Sequence, residues 1–138
     1  MNIDTGTDVG RYEIRLFTDL QFELLYKNGL DNENDHVPVA YLLQNKLHYQ
    51  WLITELYLHD PDLAYGLSNL NNGKIELGYI DLKSIMDINK SDKIINSPGF
   101  YTEDKISLFK ALADELGYIP SREEGNADLF KKFRKIIY

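Results

Sequence analysis

VAYLLQNKLHYQWLITELYLHDPDLAYGLSNLNNGKIELGYI, residues 39–80, decides the fold. Val39 to Leu43 is a short apolar run, and Gln44-Asn45-Lys46 has turn composition. Tyr49, Trp51, Ile53 and Tyr57 alternate with Gln50, Leu52, Thr54 and Leu56 along a long strand. His59-Asp60-Pro61-Asp62 is a second turn. Leu63, Tyr65 and Leu67 then alternate with Ala64, Gly66 and Ser68 in a third strand. Asn71-Asn72-Gly73 closes a hairpin into Ile75, Leu77 and Tyr79. Pro38 stands at the start, where its missing N–H is tolerated. Residues 38–80 therefore read as an antiparallel meander of about four strands.

Helical patterns flank the meander. Over residues 11–27, Ile14, Phe17, Leu20 and Leu24 follow helical spacing, with Asn28-Gly29 as C-cap chemistry. Tyr12, Ile14 and Leu16 also alternate as a strand would, so both forms stay open and the helix is preferred. Asp81 caps a short helix through Met86, and 87–100 is a polar connection containing Pro98-Gly99. Thr102 N-caps a helix with Glu103 and Asp104 in its first turn. Its stripe is Ile106, Phe109, Leu112, Ala113 and Leu116, and Gly117 ends it. After a loop over 120–125, Asn126 starts a last helix with Leu129, Phe130, Phe133, Ile136 and Ile137 on one face. Strands that run consecutively predict an α+β fold: a small antiparallel sheet with an N-terminal helix and two C-terminal helices, the helices on one face. Residues 1–138 read as a single domain, with a loose tail over 1–10 and a helical extension over 117–138.

The chain has 138 residues, with 22 acidic and 15 basic side chains, a net charge of −7. An acidic protein is repelled by phosphate backbones, which argues against general nucleic-acid binding. The basic run Lys131, Lys132, Arg134 and Lys135 reads as a solvated helix face that complements the helix dipole. There is no cysteine, so disulfides, thiolate zinc sites and thiol nucleophiles are excluded. No stretch approaches the roughly 18–20 apolar residues of a membrane span. Met1 to Thr5 is not a secretory signal, so a cytoplasmic protein is expected.

Most motif-like fragments have plain readings. Asp4-Thr5-Gly6-Thr7 resembles an aspartic-protease loop but lacks flanking apolar strands. Asp31, Glu33 and Asp35 start like a calcium loop, yet His36 stands where glycine is required and Leu42 where a bidentate glutamate is needed. His59, Asp60 and Asp62 form an ordinary turn, so no metal is expected. Gly73-Lys74 lacks the earlier glycine of a phosphate loop, and no cofactor is expected. The set with most chemistry is Trp51, Glu55 and Tyr57, placed by strand spacing on one face, with Glu76 on a strand that could neighbour them. In a cleft, Glu55 would be a general base, and Trp51, Tyr57 and Glu76 would bind.

Several pieces in a fixed order resemble the domain-of-unknown-function 2958 family. They are Asn28-Gly29, Asp35-His36, Pro38-Val39-Ala40, Trp51-Leu52 with Thr54-Glu55, Ala64-Tyr65-Gly66-Leu67, Glu76-Leu77-Gly78-Tyr79 and Asp81-Leu82-Lys83-Ser84-Ile85. The resemblance covers roughly residues 11–116. It departs after Met86, where Lys93-Ile94-Ile95-Asn96-Ser97-Pro98 replaces a Gly-Leu-Pro-Ile-Glu-Arg-Asp type stretch, and no counterpart follows Tyr118. The family is similar to small proteins of plasmids, conjugative elements and phages, near DNA-modification or anti-restriction genes. The resemblance implies a non-enzymatic accessory protein that contacts a host or element-encoded protein, in one version by nucleic-acid mimicry against host defence. The alternative is a small hydrolytic enzyme or ligand-binding module centred on Glu55 and Trp51.

Overall fold

The computed structural model describes residues 16–138. The loose tail, the Asp4-Thr5-Gly6-Thr7 fragment and the Tyr12–Ile14 alternation lie outside the described residues.

A five-stranded antiparallel sheet is formed by β1 (Ala40–Gln44), β2 (Tyr49–Tyr57), β3 (Asp60–Asn69), β4 (Ile75–Asp81) and β5 (Ile95–Asn96), in the order β4-β3-β2-β1-β5. The first four strands are the meander read from residues 38–80. The fifth is an addition: two residues within the segment read as a polar connection pair with Leu42 and Leu43. Among the described residues the helices are α1 (Asp19–Gly29), α2 (Leu82–Ser91), α3 (Ile106–Leu116) and α4 (Ala127–Ile137).

The helices cover both faces of the sheet, not one. On the first face, α1 and α2 bring Phe22, Leu25, Leu82 and Ile85 onto Leu42, Trp51, Ile53 and Ala64. On the second, α3 and α4 bring Phe109, Leu112 and Phe130 onto Tyr41, Leu52 and Leu67. This explains why Leu52 stands where half-buried alternation would put a polar residue. A strand covered on both sides is apolar nearly throughout, and β2 is buried from Trp51 to Leu56.

Local chemistry sets the helix ends. Thr18 and Gln21 form a reciprocal capping box at the start of α1. The helix runs through Gly29, and Leu30 is its cap in right-handed geometry, so Gly29 is not the left-handed stop expected of Asn28-Gly29. Gly29 is instead a contact point. A Cβ there would collide with the Leu56 carbonyl, while the Asn28 side chain donates to Thr54 O at 2.9 Å. Asp81 caps α2 by accepting from Lys83 N at 2.9 Å, and that helix continues five residues beyond Met86 to Ser91. At α3 the expected Thr102 cap is displaced. Lys105 is the capping residue and makes no side-chain bond. Asp35, from the loop before β1, accepts from Ser107 N at 3.2 Å and from its hydroxyl. Gly117 ends α3 at φ 81°, as its position predicts. Asp104 is buried and takes a two-pronged ion pair from Arg134, which also reaches Glu123, anchoring α4.

Candidate functional site

The strand spacing that unites Trp51 with Glu55 is interrupted. Ile53 pairs with Gly66, but the next pair is Glu55 with Tyr65, so Thr54 is an extra residue on β2. Such a bulge reverses the alternation beyond it. Trp51, Ile53 and then Leu56 all lie in the first-face core. Glu55 is therefore carried to the second face beside Tyr65, which shares that face with Leu67. Trp51 stays on the first face, in a row with Ser68 and Glu76. No single site contains both Trp51 and Glu55. The structure groups Trp51 with Glu76, and Glu55 with Tyr57.

The Glu55 group lies near the turn between β2 and β3, within electrostatic reach of Asp31 and His36. Glu55 is 3% exposed, and its Oε1 accepts from the Tyr57 hydroxyl at 2.8 Å. Tyr65 and Tyr79 are neighbours in one cross-strand row. The Tyr65 and Tyr79 rings meet edge to face at 5.5 Å, and those of Tyr57 and Tyr79 at 6.1 Å. Burial lifts the Glu55 carboxyl above the usual carboxylate range. The Tyr57 hydrogen bond and His36 pull it back, while Asp31 adds to the rise. Tyr57 is pushed up by burial and by donating to Glu55. The acidic loop is itself folded: both Asp31 carboxylate oxygens accept from Asn34, and the His36 ring bonds Asp31 O at 2.6 Å.

A testable consequence follows from this burial. A carboxyl whose folded pKa exceeds its unfolded value holds its proton longer in the folded chain. Stability is then lost as pH rises through the window between the two values. Glu55→Gln removes that titration and keeps an acceptor for Tyr57. The variant is expected to melt above the parent at pH 8, where the folded chain holds the carboxylate at a cost, and to match it in acid, where both states hold the proton. Thermal unfolding across pH checks this; an equal or lower melting point at pH 8 contradicts it.

A groove of about 380 Å³ lies on the first face between β4 and α2, with Trp51, Glu76, Gly78, Ile80, Ile85 and Ile88 among its walls. It runs along β4, which among the described residues pairs with β3 alone. Natural sheets guard such edges with lysine, proline, bulges or a covering element. From Ile75 to Asp81, β4 has no lysine or proline, its charges are the exposed Glu76 and Asp81, its pairing with β3 has no register shift, and Tyr79 is 68% exposed. Tyr65 and Tyr79 were not singled out by sequence. The Asn71-Asn72-Gly73 hairpin is the signal that finds them, because its register sets the two rings side by side.

A larger cavity, about 660 Å³, is lined by Tyr101, Asp104, Glu123, Phe130 and Arg134. Its inward charges already satisfy one another through the Arg134 ion pairs. Among the described residues no three His, Asp or Glu side chains gather as metal ligands. Among them, too, no helix is long and apolar enough to cross a membrane. Residues 16–120 match the model of a family described as a protein of unknown function (DUF2958). The match continues through 93–98, where the sequence pattern departs. No curated protein and no solved structure matches the chain.

Proposed function

The chain belongs to the domain-of-unknown-function 2958 family, and on that premise we propose that it is a non-catalytic protein-binding module. Its docking site is the open β4 edge with the groove beside it. The partner is a host or element-encoded protein, in keeping with an accessory role in a mobile element or phage. The observation that carries the reading is the open edge: seven residues in unbroken register with β3, without lysine, proline or bulge, and unpaired on their other side among the described residues. An extended segment of a partner adds to such an edge through main-chain hydrogen bonds, and a flanking groove receives alternate side chains. The hydrolytic alternative gains no support from Glu55, which is closed under Tyr57 and set on the face opposite Trp51. Nor does the reading rest on nucleic-acid mimicry, because ion pairs such as Lys46–Asp92, Lys90–Asp87 and Lys110–Asp114 interleave the two signs of charge.

Gly78→Lys tests the proposal. A Cβ at Gly78 meets nothing within 4 Å, so the fold should tolerate the change while a cation blocks the edge. The tagged parent is expected to capture a near-stoichiometric partner from its host, and the variant to lose that partner at unchanged melting temperature. A partner retained equally by both would remove β4 as the docking site.

A further inference from the structure

The β4 edge also carries a chemical preference, and this step rests on the strand-docking reading above. On a strand added to β4, the residue facing Tyr79 extends the cross-strand row Glu55–Tyr65–Tyr79 on the second face. At the inner end of that row, beyond Tyr65, stands the buried Glu55 carboxylate. Among the described residues its one hydrogen bond comes from Tyr57, and it makes no ion pair. A buried carboxylate without a cation is costly, and the arrival of one relieves that cost. A guanidinium or ammonium over a tyrosine face is drawn by the ring quadrupole as well as by the acid at the inner end of the row. The surrounding charge is mostly of the same sign. Asp31 and Asp35 stand in the loop before β1, Asp60 and Asp62 open β3 and Asp81 closes β4, while the cationic side chains near this end are His36, which acts on Glu55, and Lys83 in the first turn of α2.

We propose that β4 receives an extended protein segment alternating apolar and basic residues, with an arginine or lysine facing Tyr79 and its cation over the Tyr65–Tyr79 pair in the field of Glu55. The apolar residues of that segment face the groove beside Gly78.

The probes are three capped octapeptides of alternating valine with arginine, glutamine or glutamate, titrated into the whole chain at moderate salt. Amide shifts along β4 report the site. The valine–arginine peptide is expected to shift β4 amides and to bind at least tenfold tighter than the valine–glutamine peptide, with the valine–glutamate peptide weakest. Tyr79→Leu leaves net charge unchanged and should remove most of that preference, which bulk attraction to an acidic protein would not. Glu55→Gln should weaken arginine binding several-fold while raising the melting temperature, a pair of signs that misfolding cannot give. Equal binding of the arginine and glutamine peptides at β4 would overturn the cation preference and leave strand docking standing. Shifts confined to residues away from β4 for every peptide would overturn both.

Discussion

Gly66→Ala is expected to lower stability by about 3 kcal/mol or more, although it adds one methyl group. Gly66 lies on β3 opposite Ile53, at the bulge of β2. A Cβ there would overlap the Leu52 carbonyl oxygen, with the carbonyl carbon at 3.0 Å and Ile53 Cα at 3.1 Å. These are backbone atoms of the central strand, so no rotamer change makes room. β2 and β3 must part, in the one region where Leu52, Ile53 and Ala64 are all fully buried. At a urea slope of roughly 2 kcal/mol per molar, the unfolding midpoint should fall by about 1.5 M. Gly78→Ala is the matched control. It also adds a methyl group to a strand glycine, but into open space. It should change stability by less than about 0.5 kcal/mol, toward stabilisation if the unfolded-state entropy of glycine dominates. Similar midpoints for the two variants would show that close approach at Gly66 is not what fixes the β2–β3 spacing.

The same bulge marks the limit of what the sequence discloses. The meander was legible because turn chemistry separates runs of β-forming residues, at Gln44-Asn45-Lys46 and at Asn71-Asn72-Gly73. The turn read at His59-Asp60-Pro61-Asp62 is shifted, since the chain reverses at Leu58-His59 and Asp60-Pro61-Asp62 opens β3, where Asp60 pairs with Tyr57. The α3 stripe and its stop at Gly117 were legible for the same local reason. Thr54 offers no such signal. It is an ordinary strand residue, and its extra place on β2 is set by pairing with β3, with its hydroxyl donating to Tyr65 O at 3.1 Å. Counting by twos from Trp51 therefore puts Glu55 on the wrong face. Coverage of both sheet faces was hidden because a doubly buried strand shows no period at all. The Asp35 cap on α3 comes from 72 residues away, and β5 is two residues long, below any periodic pattern. Of the candidate site, Glu55 and Tyr57 were visible as an acid and an aromatic on one strand. Tyr65 and Tyr79 required the hairpin register to be followed across the sheet.

Gln50→Leu is expected to cost about 2–4 kcal/mol, a large effect for a half-buried polar residue. The Gln50 amide uses its whole bonding capacity. Its Nε2 donates to the Tyr41 hydroxyl at 2.6 Å and to Ile119 O at 3.0 Å. Its Oε1 accepts from Ile119 N at 2.9 Å and from the Asn69 side chain at 2.7 Å. Tyr41 in turn donates to Ile119 O. One side chain on β2 thus joins β1, β3 and the segment that follows α3, at the end of the stretch shared with the family. Leucine has similar volume and keeps the packing, but it strands the Ile119 N–H and the Asn69 amide, both buried. Each stranded donor costs roughly 1–3 kcal/mol. Tyr41→Phe, which leaves the Gln50–Ile119 pair of bonds intact, should cost only about 1 kcal/mol. Hydrogen exchange separates a local from a global effect: the Ile119 amide should lose protection in Gln50→Leu by more than the drop in global stability explains. If Gln50→Leu instead falls within about 0.5 kcal/mol of the parent, water has taken over the stranded groups, and the segment after α3 is held by Ile119 and Phe130 packing against Tyr41 and Leu52.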